Sequence, residues 1–246
     1  VKGRVVPTAA EKEEMLEEVN GAKARIESAF SKSEYQVEVL IEGSVAKDTW
    51  LKGETEVDIF VRFPPEYEKE EIGGVTISIA KGVWGEGRCV ERYAEHPFVT
   101  AYVRGLKLDI VPCFKSKPGE WKSATDRTPY HTEFVRNNLS GEEKDEARLL
   151  KRFAKGIGAY GAEIRVGGFS GLLCELLVYN FKSFKRTIEA MSSLRLPFLI
   201  DPANYYRGKE AEAYRSFSPG LIVVDPSDER RNVAAALTQS KLGDMM

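Results

Sequence analysis

The sequence predicts an α+β protein in which a small mixed sheet with helices precedes a mainly helical domain. Short apolar strands and amphipathic helices fill the chain as far as Lys115, and a polar connection follows over 115–129. Beyond it, apolar residues recur every three or four positions, which is the helical period. We therefore expect two domains, residues 1–138 and 139–246, the second containing a few short strands.

The composition is typical of a soluble globular protein, with 42% hydrophobic and 30% charged residues. No apolar run is long enough to cross a bilayer, and three widely spaced cysteines suggest reduced thiols. We therefore expect a cytoplasmic protein with no membrane partner. A net charge of −2 gives no overall sign of a nucleic-acid partner. Residues 140–200 hold ten basic and seven acidic residues, a slight preference for a phosphate-bearing partner.

In the first domain, an amphipathic helix is predicted over 8–30, with Thr8 as its N-cap and Glu11 three residues further on. Residues 70–85 are ambiguous, because their β-branched side chains favour a strand while the topology favours a helix. A Gly-Ser turn and a short helix should follow the first strand. The predicted strands are 35–41, 56–63, 88–93, 98–103 and 106–114.

In the second domain, a helix is also expected to start near residue 230, after two short apolar strands at 198–200 and 221–226. The segment 192–215 gives no clear pattern. The stretch around Cys174 should be a buried helix and not a reactive-thiol site. The other helices are predicted over about 129–138, 142–156, 169–181 and 182–192.

Acidic residues interrupt two of the apolar strands. Because strand side chains alternate between faces, Glu56 and Asp58 share one face, and Asp109 lies opposite its apolar neighbours. Three carboxylates on adjacent strands would repel one another unless a cation neutralised them. Such a cluster suits Mg²⁺, and two ions could activate a hydroxyl and stabilise a leaving pyrophosphate. Alternatively, Glu56 and Asp58 simply lie on the solvent face of an antiparallel strand.

The residues before this pair favour the metal-binding interpretation. A Gly43-Ser44 turn follows the preceding strand, and eleven residues separate it from Glu56. Such a turn offers backbone N–H groups and a hydroxyl to a phosphate. The composite pattern, with Asp109 on a later strand, indicates metal-dependent phosphate chemistry.

Successive blocks of the chain resemble the archaeal (class I) CCA-adding enzymes, which belong to the nucleotidyltransferase superfamily together with DNA polymerase β. The resemblance implies a polymerase β-like head followed by a helical neck. It also implies template-independent transfer of CMP and AMP from CTP and ATP to the 3′ end of tRNA, with two Mg²⁺ ions and release of pyrophosphate. The blocks, in order, are GSVAKDTWLKGETEVDIFVRFP, YAEHPFVTAYVRGLKLDIVPCF, SATDRTPYH, RLLKRFAKGIGAYGAE, GFSGLLCELL and VVDPSDERRNVAAAL.

The same resemblance implies roles for individual residues. Glu56, Asp58 and Asp109 would bind the metal, and Asp109 would also help to deprotonate the RNA 3′-hydroxyl. Arg231 would help to read the base, with Asp225 and Asp228 orienting it. The triphosphate would be contacted by Gly43, Ser44, Lys151 and Tyr160. Lys47 stands where the family typically carries a basic residue. Thr128 and His131 would lie near the incoming nucleotide.

Structural roles remain open for several of these residues. Ser44 could simply shape a turn, and His131 could cap a helix at the surface. Lys151 could lie on a solvated helix face, Tyr160 could be a packed aromatic side chain, and Arg231 could pair with neighbouring acids at the surface. His96 is interpreted as structural.

The family resembled here is longer than this chain, so we expect the C-terminal body and tail that hold the tRNA to be absent. A poly(A)- or oligoadenylate-type enzyme and a non-catalytic module that binds nucleotides or RNA remain alternatives. The two blocks around GFSGLLCELL and RRNVA favour CCA addition. Whether the chain forms a homodimer stays open.

Overall fold

The chain, described by a computed structural model over residues 2–93 and 97–246, divides into two compact units. The first unit is Pro7–Thr132, and the second is Glu133–Met246 with Val1–Val6. The predicted domain limit after residue 138 lies six residues beyond this boundary, at the end of the same helix. His96 lies outside the described residues. Among those described, we find no helix with the length and apolar character of a membrane span.

Among the described residues, three α-helices belong wholly to the first unit: α1 (Ala9–Phe30), α2 (Gly43–Ala46) and α3 (Lys69–Trp84). The predicted capping box of α1 is present, because Thr8 accepts a hydrogen bond from the Glu11 backbone and Glu11 caps Thr8 in return. The ambiguous segment is helix α3, whose buried Ile72, Ile77 and Ala80 have helical spacing. Burial of the apolar face of this helix therefore outweighs the strand propensity of its β-branched residues.

A five-stranded mixed sheet forms the centre of the first unit, with strand order β1-β2-β5-β4-β3. Strands β2 and β5 are parallel, and every other neighbouring pair is antiparallel. The apolar residues of β2 join side chains of α1 and α3 in one buried cluster, so one face of the sheet is covered by helices. The strands are β1 (Glu38–Glu42), β2 (Glu56–Phe63), β3 (Cys89–Tyr93), β4 (Pro97–Val103) and β5 (Leu106–Phe114).

The second unit is mainly helical and contains a small three-stranded sheet with order β6-β7-β8. Its core lies around the buried helix α6, as predicted for the stretch that contains Cys174. The unit boundary falls within α4. The elements are α4 (Thr128–Asn138), α5 (Gly141–Gly156), α6 (Gly171–Phe181), α7 (Phe184–Ser192), β6 (Phe198–Ile200), α8 (Glu210–Ser216), β7 (Leu221–Asp225), β8 (Asp228–Asn232) and α9 (Gln239–Met245).

The prediction that a helix starts near residue 230 is wrong. Residues there form strand β8, which pairs with β7 across the Pro226-Ser227 turn. The pairing is antiparallel and joins Asp225 to Asp228 and Val224 to Asn232. A tight hairpin thus overrides the helix-favouring composition of this segment.

Candidate active site

Four polar residues form a row across the sheet of the first unit. In the strand register, Glu42 of β1 lies opposite Asp58 of β2, Asp58 lies opposite Asp109 of β5, and Asp109 lies opposite Thr100 of β4. Directly paired residues on neighbouring strands point to the same face. The row therefore brings three carboxylates and one hydroxyl together on one face of the sheet.

Asp58 lies at the centre of this row. Burial raises the pKa of its carboxyl group to about 6, and repulsion from Asp109 adds to the rise, while the Lys47 ammonium opposes it. The carboxylate also lies directly against Gly43, where a Cβ atom would overlap Asp58 Oδ2. Gly43 has a φ of +64°, a conformation that side chains disfavour. The glycine is therefore required both by the turn and by its contact with Asp58.

Replacing Gly43 by Ala is expected to lower the unfolding free energy of the protein and to displace Asp58. The left-handed backbone alone should cost about 1–3 kcal/mol, and the overlap with Asp58 adds to this cost. Gly53→Ala is the matched control, since Gly53 has a φ of +82° but a Cβ atom there meets nothing within 4 Å. Urea unfolding of both variants measures the difference. Equal destabilisation of the two would contradict the overlap with Asp58.

Asp109 and Glu56 are held by two donors. The Thr100 hydroxyl donates to Asp109 Oδ1 at 2.6 Å. Lys107 Nζ lies 3.0 Å from Glu56 Oε1 and 3.4 Å from Asp109 Oδ2. Glu56 is the most exposed of the three predicted metal ligands, with 70% of its side chain accessible. Lys107 is thus a functional candidate that the sequence analysis missed, although strand alternation puts it on the face of Asp109.

The donor chemistry of this face fits a divalent cation. Asp58 and Asp109 bring oxygen ligands together, and repulsion from Asp109 adds to the effect of burial in raising the pKa of Asp58. Within residues 2–93 and 97–246, however, no three His, Cys, Asp or Glu side chains converge closely enough to hold a metal ion. Because Glu56 pairs with Lys107, it would have to reorient to act as the third ligand.

Glu42 is a further acidic residue that the sequence analysis missed. Its side chain is buried, and Oε2 has no hydrogen-bond partner among the described residues. Burial raises the pKa of its carboxyl group to about 7, with Thr132, Lys47 and Arg62 opposing the rise. A carboxyl group in this position is protonated at mildly acid pH and becomes a buried charge above neutrality.

Replacing Glu42 by Gln is expected to remove a pH-dependent loss of stability. Because the pKa of Glu42 is raised in the folded state, its stabilising effect is complete at low pH and is lost as pH rises through about 7. For a shift of this size, wild-type protein should lose about 3 kcal/mol of unfolding free energy between about pH 4 and pH 8.5, relative to the variant. Urea unfolding in EDTA measures both proteins. Parallel pH profiles would contradict the assignment.

The other predicted residues of the first unit lie in two segments. Ser44 is partly buried in α2, and Lys47, at the C-terminal end of that helix, is buried close to Asp58 and Glu42. Thr128 is the first residue of α4. His131, one turn later, is buried, so the alternative of surface capping does not describe it.

In the second unit, Lys151 and Tyr160 come together at the N-terminus of α6. A Cβ atom on Gly171 would lie 3.1 Å from the Tyr160 hydroxyl and 3.7 Å from Lys151 Nζ. Lys151 is buried and forms an ion pair of 2.7 Å with Glu175, which is also buried. The alternative of a solvated face for Lys151 is therefore wrong. Tyr160 is partly buried and packs on the core of this unit.

Arg231 lies on strand β8, and its Nη1 donates to Asp225 Oδ2 at 2.7 Å. Asp225 is fully buried and also accepts from the Ser227 backbone and hydroxyl. Asp228 accepts a hydrogen bond from the Arg230 backbone. A buried carboxylate thus holds the guanidinium group of Arg231, whose side chain is 40% accessible, so the group is oriented and can still contact a ligand.

The fold and the carboxylate row define the class of protein. Residues 23–131 match the profile described as "Nucleotidyltransferase domain", and residues 145–246 match "tRNA nucleotidyltransferase, second domain". The chain is therefore a nucleotidyltransferase-fold protein, with a polymerase β-like first domain as predicted.

Its relatives define the family more narrowly. The chain is 38% identical to the CCA-adding enzyme of Halobacterium salinarum over 98% of its own length and 52% of the relative's. It is 43% identical to that of Archaeoglobus fulgidus, over 90% of this chain and 48% of the relative. The chain belongs with the archaeal CCA-adding enzymes, as the resemblance predicted, and it spans about half the length of these curated relatives.

Solved structures agree on the fold. CdnC of E. coli MS115-1, in its complex with HORMA-deltaN, is 18% identical with a TM-score of 0.75, covering 99% of this chain and 84% of that one. Cid1, described with an RNA terminal uridylyl transferase activity, is 12% identical with a TM-score of 0.72, covering 99% and 87%. At these identities the similarity establishes the fold alone.

Proposed function

We propose that this chain transfers CMP and AMP from CTP and ATP to the 3′ end of tRNA, without a nucleic-acid template and with release of pyrophosphate. The pairing of Asp58 with Asp109 across two parallel strands is the observation that supports this function most directly. It brings together carboxylate oxygens of the kind that metal-dependent phosphoryl chemistry requires. Homology to the CCA-adding enzymes supports tRNA, CTP and ATP as the substrates.

In the first unit, Glu56, Asp58 and Asp109 are the proposed ligands of Mg²⁺. When bound, Mg²⁺ would activate the 3′-hydroxyl and neutralise charge on the departing pyrophosphate. Asp109 is also the proposed acceptor of the 3′-hydroxyl proton, and Thr100 fixes its side chain for that task. The Gly43-Ser44 turn is proposed to bind phosphate through its N–H groups and its hydroxyl.

Further nucleotide contacts are proposed for Lys47, Thr128 and His131, on the basis of the family resemblance. In the second unit, the N-terminus of α6 supports phosphate binding by Lys151 and Tyr160, since the positive end of a helix dipole favours anions. The Asp225–Arg231 pair supports base recognition, because the guanidinium donors are held in one orientation.

The proposed functional domains are residues 1–138, carrying the metal ligands, and 139–246, carrying the helical neck. A cytoplasmic location is part of the same proposal. Homodimerisation stays a prediction.

The deciding experiment is incorporation of radiolabelled CTP and ATP into a tRNA transcript that lacks its 3′ CCA, at high RNA concentration with Mg²⁺. We expect C to be added before A, and no addition to the same transcript with its CCA intact. Asp58→Asn is the inactive control. Addition of A alone would indicate a poly(A)-type enzyme, and nucleotide binding without any incorporation would indicate a non-catalytic module.

A further inference from the structure

Lys107 occupies a position between two of the proposed metal ligands. It lies opposite Glu56 in the parallel register of β2 and β5, and two residues before Asp109 on the same strand. Its Nζ is within 3.0 Å of Glu56 Oε1 and 3.4 Å of Asp109 Oδ2. Strand alternation fixes this arrangement, because Lys107 and Asp109 must project from the same face.

The lysine places a positive charge within ion-pair distance of two carboxylates, Glu56 and Asp109. Thr100 donates to Asp109 Oδ1, so Thr100 and Lys107 together engage both oxygens of Asp109. A divalent cation would use the same oxygens as ligands.

We propose that Lys107 is a tethered cation that competes with the divalent metal for Glu56 and Asp109, and so sets the affinity of the site for that metal. This inference rests on the proposed metal-dependent function. Binding of the ion requires the ammonium to leave the two carboxylates, and its flexible stem, 31% accessible, allows that movement. Lys107 is a positioning residue, since it acts through the ligands and not on the substrate.

The competition has a predictable size. A partly exposed ion pair contributes little net free energy, so its removal shifts a binding constant by up to about fivefold. Removing the positive charge also removes its repulsion of the incoming ion. Lys107→Met keeps most of the side-chain volume without the charge. We expect it to bind a divalent cation about three- to tenfold more tightly than wild type.

The experiment measures Mn²⁺ binding without substrate, from the electron paramagnetic resonance signal of the free ion. Lys107→Arg should stay near wild type, because it preserves the positive charge. Lys81→Met is the matched control, since Lys81 of α3 is also a paired lysine, 2.6 Å from Glu91 of β3, and Glu91 is not a proposed metal ligand. Asp58→Asn should lose the binding, which identifies the site. Thermal unfolding should show a larger stabilisation by Mn²⁺ in Lys107→Met than in wild type.

Two results would overturn the inference in different ways. If wild type binds Mn²⁺ at the Asp58-dependent site and Lys107→Met binds it equally or more weakly, Lys107 does not compete, and the proposed function is unaffected. If neither protein binds Mn²⁺, both the metal site and the function proposed for it fail.

Discussion

Asp109→Asn is expected to reduce nucleotide incorporation into the shortened tRNA by about a thousandfold or more. The amide cannot supply the negative charge that a divalent ion requires, and loss of several kcal/mol of charge stabilisation slows a reaction by this amount. The fold should survive, because an amide oxygen at Oδ1 can still accept the Thr100 hydroxyl hydrogen bond. Single-turnover incorporation with saturating nucleotide measures the effect.

The matched control for this variant is Asp244→Asn, which changes an acid paired with Lys241 at 3.0 Å in the second unit. We expect it to keep wild-type activity. Unfolding curves of both variants should overlay that of wild type. Near-normal incorporation by Asp109→Asn would remove this residue from the proposed site.

Lys151→Met is expected to have the largest effect on stability. Lys151 and Glu175 are both buried and paired at 2.7 Å, so the substitution leaves a buried carboxylate without its ammonium partner. Breaking one side of such a pair typically costs about 3–5 kcal/mol. Urea unfolding should show this loss as a lower midpoint at an unchanged slope.

The double variant Lys151→Met with Glu175→Met separates structure from ligand binding. Replacing both charges by side chains of similar volume should recover most of the lost stability, because no buried charge remains. If Lys151 also binds the triphosphate, the stable double variant will still bind CTP and ATP more weakly than wild type. A double variant as unstable as the single one would contradict the account of the pair.

Much of the fold follows from local patterns in the sequence. Alternation in EVDIFVRF and LKLDIVPCF identifies β2 and β5, and the capping box at Thr8 identifies the start of α1. The hairpin at Pro226-Ser227 was missed, because local composition favours a helix there and only pairing with β7 decides the outcome. Tertiary pairing can override propensity.

The site was predictable in part for similar reasons. Alternation puts Asp58 and Asp109 on defined faces, but their placement side by side depends on the parallel register. The same alternation puts Glu42 on the face of Glu38 and Lys107 on the face of Asp109. The face on which Glu42 and Lys107 lie could therefore have been predicted from the sequence. The Lys151–Glu175 pair was not, because 24 residues separate its members and helix packing alone brings them together.

The row from Glu42 to Thr100 has a consequence for how this domain tolerates insertions and deletions. Each member belongs to a different strand, so adding one residue within β2 would turn its later side chains to the opposite face. Length changes should therefore be rejected inside β1, β2, β4 or β5 and also in the segment 43–47 that follows β1. A deletion scan of the domain should find loss of activity in these segments and tolerance in the other connections between strands.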